Sequence, residues 1–137
     1  MNLSPRHQAR KKAVQALYAL EVSKNDIYSI ENFFLKKKNM KYVDINYFSE
    51  LYLKVAFNFK FLDKLMIPYL SRPIENIGYI ESAILRIALY ELCKKKEIPY
   101  KVIINEAIKL TKSFGPTESY KFVNAVLDKV CKKIRFK

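Results

Sequence analysis

The sequence is poor in the residues that form tight turns, disulfides and metal sites. Its 137 residues include two glycines, two cysteines, one histidine and no tryptophan. Two isolated glycines cannot form a phosphate-cradling loop, and the scarcity of Asn-Gly and Asp-Gly pairs argues against β-hairpins. Cys93 and Cys131 lie far apart with no histidine nearby, so they suggest neither a zinc site nor a disulfide framework.

Catalytic groups and membrane segments are also lacking. A histidine-based metal site or catalytic triad would have to use His7, at the start of the chain. The glutamates show no pattern that would separate a general acid from a general base. No apolar stretch approaches the roughly 20 residues that span a bilayer, and the N-terminus lacks the apolar core of a signal peptide. We therefore expect a protein of the reducing cytoplasm that is not an enzyme and has no metal, cofactor or membrane partner.

The residues that are abundant are apolar or basic. Half of the chain is hydrophobic, and 26 Lys and Arg residues face 13 acids, for a formal charge of +13. This balance favours a polyanion partner, nucleic acid before an anionic membrane surface. Lysine runs such as 36–38 and 94–96 are also typical of a merely solvated surface.

Hydrophobic positions recur at helical spacing almost throughout the chain. The fold class is therefore all-α, with about seven helices in two packed bundles. We expect one domain over 1–137, with an N-terminal sub-bundle over about 1–70 and a C-terminal one over about 71–137. The pattern predicts helices over 5–22, from 25 or 26, from 44 to the proline at 68, 79–93, 99–114 and from 116 or 117, with a turn or single helical turn over 71–78.

The start of the first helix is basic where helices usually carry acids. Ser4 followed by Pro5 is a good helix start. Basic residues then follow without an acid: Arg6, His7, Arg10, Lys11 and Lys12. Cations at this end are unfavourable by several tenths of a kcal/mol each, because the helix dipole is positive there. Helical spacing also predicts a stripe beside the apolar face that brings the basic end next to an exposed aromatic, formed by His7, Lys11, Val14 and Tyr18.

Residues 112–122, KSFGPTESYKF, repeat this mixture of basic and aromatic residues at a turn between helices. Lys112 and Lys121 could neutralise phosphates, and Phe114, Tyr120 and Phe122 could stack on unpaired bases. Phe122 at helical spacing from Val126 is also typical of a core position.

The helix predicted over 79–93 is apolar almost all round, which is typical of a helix in the middle of a bundle. Glu81 falls in an apolar sector of this helix. A buried carboxylate needs a partner, because desolvation costs several kcal/mol. Either the helix edge is solvated at this point, or a second protein supplies the opposite charge.

Five segments, which together cover essentially the whole chain, resemble the NusB family of transcription antitermination factors in order and spacing. They are ARKKAVQALYALEVSKNDI, LMIPYLSRPIENIG, ESAILRIALYEL, IPYKVIINEAIKLTKSFG and SYKFVNAVLDK. The resemblance implies an all-helical fold of two small bundles without catalytic activity. It also implies a pairing with the ribosomal protein NusE, single-stranded boxA RNA as ligand, and a place with other Nus factors in an RNA polymerase complex on ribosomal RNA operons.

The resemblance also implies positions for the two interfaces. The family's arginine-rich N-terminal motif maps to residues 6–10, and Glu118 falls at a family position near the RNA face. With the basic and aromatic residues described above, the RNA-binding positions would be Arg6, His7, Arg10, Lys11, Lys112, Phe114, Glu118, Lys121 and Phe122. The partner-binding positions would be Tyr18, Glu75 and Glu81. The chain departs from the family where consecutive arginines are usual, because His7 and Gln8 separate Arg6 from Arg10. Lysines 11 and 12 restore charge without the bidentate guanidinium fork, and Glu118 stands where the family often has aspartate.

Two alternatives remain open. NusB-like bundles also occur as N-terminal domains of ribosomal RNA cytosine methyltransferases, although this chain ends at residue 137 without a catalytic domain. A general basic nucleic-acid-binding protein would instead bind duplex DNA as well as RNA, without sequence preference or a protein partner.

Overall fold

A computed structural model describes residues 4–36, 38–114 and 118–136. In these ranges the protein is all-helical, which confirms the predicted fold class. The α-helices are α1 (Pro5–Ser23), α2 (Ile27–Leu35), α3 (Ile45–Ala56), α4 (Phe59–Met66), α5 (Tyr79–Lys94), α6 (Tyr100–Phe114) and α7 (Ser119–Arg135). Short 3-10 helices cover Lys38–Met40, Ile67–Tyr69 and Ile74–Asn76. None of the described helices is both long and apolar enough to cross a membrane.

The chain divides into two compact units, one ending at Phe57 and the other beginning at Asn58. The sequence prediction had put the boundary between sub-bundles near residue 70. The single helix predicted from 44 to 68 is wrong, because α3 ends at Ala56 and α4 begins at Phe59. Asn58 at φ −128° and ψ 25° leaves the helical region and breaks the segment. The apolar spacing continues across this break, so periodicity alone does not reveal it.

The first unit is built by α1 packing on α3, with α2 against both. Alanines line the buried face of α1 at positions 9, 13 and 16, and small side chains let the two helices approach closely. Each helix starts with a side-chain cap: Ser4 Oγ accepts from the His7 N–H at 3.0 Å, and Asp44 Oδ1 accepts from the Tyr47 N–H at 3.1 Å. The Asp44 N–H also donates to the Pro5 carbonyl at 3.1 Å, which ties the starts of α1 and α3 together.

The second unit is organised around α5, which contacts α4, α6 and α7. Residues 82–92 are all buried, as the apolar pattern of this segment predicts. Arg86 lies among them and forms a bidentate pair with Asp63 on α4, with N···O distances of 2.8 and 3.0 Å. The opposite charge and the two hydrogen bonds offset the free-energy cost of burying the Arg86 guanidinium.

Arg135, in the last turn of α7, holds the end of α5. Its guanidinium donates to the main-chain carbonyls of Leu92 at 2.9 Å, Ile98 at 3.1 Å and Lys95 at 3.3 Å. The last carbonyls of a helix lack partners within the helix. One side chain therefore caps α5 and fixes the turn that leads into α6.

Candidate nucleic-acid interface

The basic start of α1 is only partly accessible. Arg6 is exposed, whereas His7 and Arg10 are 3% and 4% exposed. Lys11 is half-buried. Within the predicted stripe beside the apolar face, Tyr18 is exposed as expected, whereas His7 and Val14 are buried. Both side chains turn toward the first unit's core, because the apolar face of α1 is wider than its alanine and leucine positions indicate.

Tyr47 on α3 organises this end of α1. The Arg6 guanidinium carbon lies 4.0 Å from the centroid of the Tyr47 ring, and that of Arg10 lies 5.6 Å away. Cation–π contacts contribute about 0.5–2 kcal/mol, more when the pair is desolvated. These contacts offset the unfavourable interaction of the two arginine charges with the positive end of the helix dipole. Tyr47 thus positions an exposed guanidinium. It was not among the predicted site residues, although the sequence places an aromatic residue three positions after the Asp44 cap.

The turn between α6 and α7 carries the second group of predicted residues. Lys112 is exposed, with its Nζ 4.7 Å from the centroid of the Tyr120 ring. Glu118 and Lys121, both exposed, form an ion pair at 2.8 Å. Phe114 is half-buried. Residues 115–117, on which the predicted glycine cap of α6 and the predicted start of α7 fall, lie outside the described residues.

Arg72 joins two predicted positions of the second unit. Its guanidinium carbon lies 4.4 Å from the centroid of the half-buried Phe122 ring, and its Nη2 lies 3.7 Å from Glu81 Oε1. The side chains of Arg72 and Glu81 are 43% and 18% exposed. The opposite charge that Glu81 requires is therefore present within this chain, a solution that neither sequence alternative contained.

The other two predicted partner positions lie on accessible surface. Glu75 is exposed in the short helix before α5. Tyr18 is 42% exposed and lines an open, mainly apolar groove of about 540 Å³ in the first unit, together with Val22, Ile30 and Phe33. Such a ring can contribute apolar contact area at an interface.

The structure therefore brings the predicted residues together in three small groups, Arg6 with Arg10 through Tyr47, Glu81 with Phe122 through Arg72, and Glu118 with Lys121 as an ion pair. Among the described residues no cluster of histidine, cysteine or acidic side chains has the composition of a metal site. The chemistry available is phosphate binding by the guanidinium groups of the first two groups and by the ammonium group of the third, and contact with the aromatic rings of Tyr47 and Phe122.

Comparison with known proteins gives a match to the NusB family over residues 7–132. The chain is 55% identical over 135 residues to the transcription antitermination protein NusB of Escherichia coli O139:H28, covering 98% of this chain and 97% of that protein. It is 51% identical to the protein of the same name from Baumannia cicadellinicola, with the same coverage.

Solved structures show the same fold. A crystal structure of the antitermination factors NusB and NusE in complex with double-stranded RNA contains a chain that matches with a TM-score of 0.84 and 25% identity, covering 94% of this chain and 97% of that one. NusB of T. maritima matches with a TM-score of 0.83 and 27% identity, covering 97% and 94%.

Proposed function

This chain belongs to the NusB family of transcription antitermination factors, and we propose that it binds single-stranded boxA RNA together with the ribosomal protein NusE. In this role it joins other Nus factors on RNA polymerase in the cytoplasm and supports antitermination on ribosomal RNA operons. The role is one of binding and requires no catalytic group or cofactor.

The observation that carries the RNA-binding proposal is the exposed guanidinium of Arg6 held on the buried Tyr47 ring. Placing a cation at a helix N-terminus is unfavourable for the helix alone, whereas an anionic ligand makes it favourable. A guanidinium held in place can grip a phosphate with two parallel hydrogen bonds. Within the second unit, Lys112 and Lys121 are exposed and can bind phosphate, and Phe114 and Phe122 are half-buried rings near them in the sequence.

NusE as partner is supported by the solved complex of the antitermination factors NusB and NusE, in which the matching chain is similar over nearly the whole length of this chain. The positions that we assign to NusE binding are Tyr18 in the first unit and Glu75 and Glu81 in the second. Two of these positions are exposed, and the third is a half-buried carboxylate that a cation on the partner could also approach.

A competition experiment tests the proposal. Fluorescent boxA RNA is titrated with the preformed pair of this chain and NusE, at one salt concentration, against scrambled RNA and duplex DNA. We expect boxA RNA to be bound preferentially and scrambled RNA to compete poorly. Equal competition by all three nucleic acids would instead identify a general nucleic-acid-binding protein, which the exposed lysines of this chain also favour.

A further inference from the structure

A second basic surface lies in the second unit, where α6 begins and α7 ends. Arg135 connects the last turn of α7 with the carbonyls of Lys95 and Ile98 in the turn before α6. Two lysine-rich segments that are distant in the sequence, 94–101 and 128–136, are therefore held side by side. We call the exposed lysines of these segments the C-terminal basic surface, and they are Lys94, Lys96, Lys101, Lys129, Lys132 and Lys133.

The charge of this surface is strongly unbalanced. The two segments contain eight basic residues and two acids, Glu97 and Asp128. Both acids are exposed and lie at long ion-pair distances, 3.8 Å from Lys95 and 3.9 Å from Lys132. Like charges fixed so near one another repel in the isolated protein, and binding a polyanion relieves this repulsion.

An aromatic ring stands beside the lysines. Phe136 directly follows α7 and is 57% exposed, yet its ring packs edge-on against Tyr100 with the centroids 5.0 Å apart and the planes at 81°. An exposed ring in a fixed position offers a stacking surface to an unpaired base. A duplex has no unstacked base to offer, so the ring favours a single strand.

The C-terminal basic surface is separate from the α6–α7 turn. The 15 residues of α6 lie between them, which at 1.5 Å per residue corresponds to about 22 Å. With phosphates roughly 3.4 Å apart along a stacked strand, six or seven nucleotides would bridge this distance.

From these observations we infer that the C-terminal basic surface binds the backbone and an unpaired base of single-stranded RNA, in a stretch that continues from the segment bound at the α6–α7 turn. This inference rests on the proposed RNA-binding function and extends it to a longer ligand. The lysines supply affinity without sequence preference, because phosphate contacts carry no base information.

The test measures the salt dependence of binding for a 4-nucleotide single-stranded RNA, which is too short to bridge the two sites, for a 20-nucleotide single-stranded RNA and for a 20-base-pair duplex RNA. Wild type is compared with Lys94→Ala, Lys96→Ala, Lys132→Ala, Lys133→Ala combined. A control variant of the same charge combines Lys41→Ala, Lys54→Ala, Lys60→Ala and Lys64→Ala, four exposed lysines elsewhere. Circular dichroism establishes that both variants fold.

We expect the log–log salt slope for the long RNA to fall by about 0.7 for each phosphate contact that the first variant loses, up to about 3 in total. Binding of the short RNA should change no more than in the control variant. Phe136→Ala should weaken binding of the long RNA by about 5- to 150-fold, the range for loss of one stacked base, with a smaller effect on the duplex.

Equal slopes for the first variant and its control on the long RNA would overturn the inference, even if the short RNA binds well. In Phe136→Ala, a loss of duplex binding as large as the loss of single-strand binding would overturn the assignment to single strands. Failure of wild type to bind the short RNA would count against the proposed function instead, because the comparison of the two variants uses only the long RNA.

Discussion

At the scale of the residue, Arg6 and Arg10 show how the same side chain takes two roles one helical turn apart. Both guanidiniums approach Tyr47, but Arg6 is exposed and Arg10 is 4% exposed. A buried guanidinium fills space and is expensive to remove, whereas an exposed one keeps its outer hydrogen-bond donors available to a ligand. The basic start of α1 therefore combines a ligand-facing residue with a supporting one.

The first prediction separates these two roles. We expect Arg6→Ala to lower the log–log salt slope for single-stranded RNA by about 0.7 with little loss of stability, because one phosphate contact disappears. Arg10→Ala should cost about 1–3 kcal/mol of unfolding free energy, since it removes a buried contact and leaves a cavity. Urea titrations and salt-dependent RNA titrations measure the two effects. The control for net charge is Lys54→Ala, which removes an exposed charge on α3. If Arg6→Ala has the same salt slope as wild type, Arg6 does not contact a phosphate.

The second prediction concerns Glu81. We expect Glu81→Lys to weaken NusE binding by about 2–5 kcal/mol, because reversing the charge at a partly buried position leaves the opposing group unpaired. The loss of stability should be smaller, since Arg72 is 43% exposed and can turn to solvent. Calorimetric titration with NusE and thermal unfolding give the two values. Glu97→Lys makes the same charge change at a 65% exposed side chain and should leave NusE binding near wild type. Wild-type affinity of Glu81→Lys for NusE would remove Glu81 from the partner surface.

At the scale of the element, a buried phenol joins α3 to α2. Tyr52 on α3 is fully buried and donates a hydrogen bond to the Ile27 carbonyl, in the first turn of α2, at 2.7 Å. Burial, with smaller contributions from the carboxylates of Glu31 and Asp26, raises the pKa of Tyr52 above its ordinary value of 10.0. The neutral donor is therefore the form that holds α2 against α3.

The third prediction follows from the sign of this shift. Below pH 10 the tyrosine is neutral in both the folded and the unfolded state, so the shift has no effect on stability. Above pH 10 only the unfolded state ionises, and the free energy of unfolding should fall by up to about 1.4 kcal/mol per pH unit. Tyr52→Phe should be less stable at pH 7 but should lack this component of the alkaline slope, as measured by urea unfolding between pH 8 and 11.5. Tyr42→Phe, at a 72% exposed position, should keep the wild-type slope, and an unchanged slope in Tyr52→Phe would contradict the assignment.

At the scale of the whole molecule, the formal charge of +13 acts on any polyanion before specific contacts form. Such a field accelerates association and supplies affinity that salt weakens, but it does not select a sequence. The described arginines and lysines offer phosphate contacts, and we identify no set of side chains that reads base edges. We therefore expect the proposed preference for boxA RNA to come from a composite site that includes the partner.

The fourth prediction is a coupling between RNA and NusE. We expect this chain alone to bind boxA RNA weakly and with little discrimination, and the preformed pair to bind it about 5- to 150-fold more tightly, the usual range of 1–3 kcal/mol for such coupling. By thermodynamic reciprocity, RNA should tighten the protein pair by the same factor. Titration of fluorescent RNA with each protein and with the pair gives one factor, and titration of NusE with and without RNA gives the other. Equal RNA affinity of the chain alone and of the pair would rule out a composite site.

The sequence by itself determined the helical class, the central position of α5 and the family. Apolar spacing, capping residues and segment order are properties of the chain itself, so they can be identified without knowledge of tertiary contacts. Ser4, Asp26 and Asp44 cap their helices as such residues do in any fold. For the candidate site, the sequence indicated which segments are basic and aromatic, because charge clustering is also visible along the chain.

Only the tertiary structure decided which of those residues are accessible and what they contact. Tyr47 covers Arg10 and supports Arg6 from another helix, and Arg72 reaches both Glu81 and Phe122 across the second unit. Long side chains contact residues that are distant in the sequence. Helical periodicity predicts the face of the helix on which a residue lies, but not which residue packs against it. The break at Asn58 escaped prediction for a related reason, because a local backbone turn leaves the hydrophobic pattern on either side unchanged.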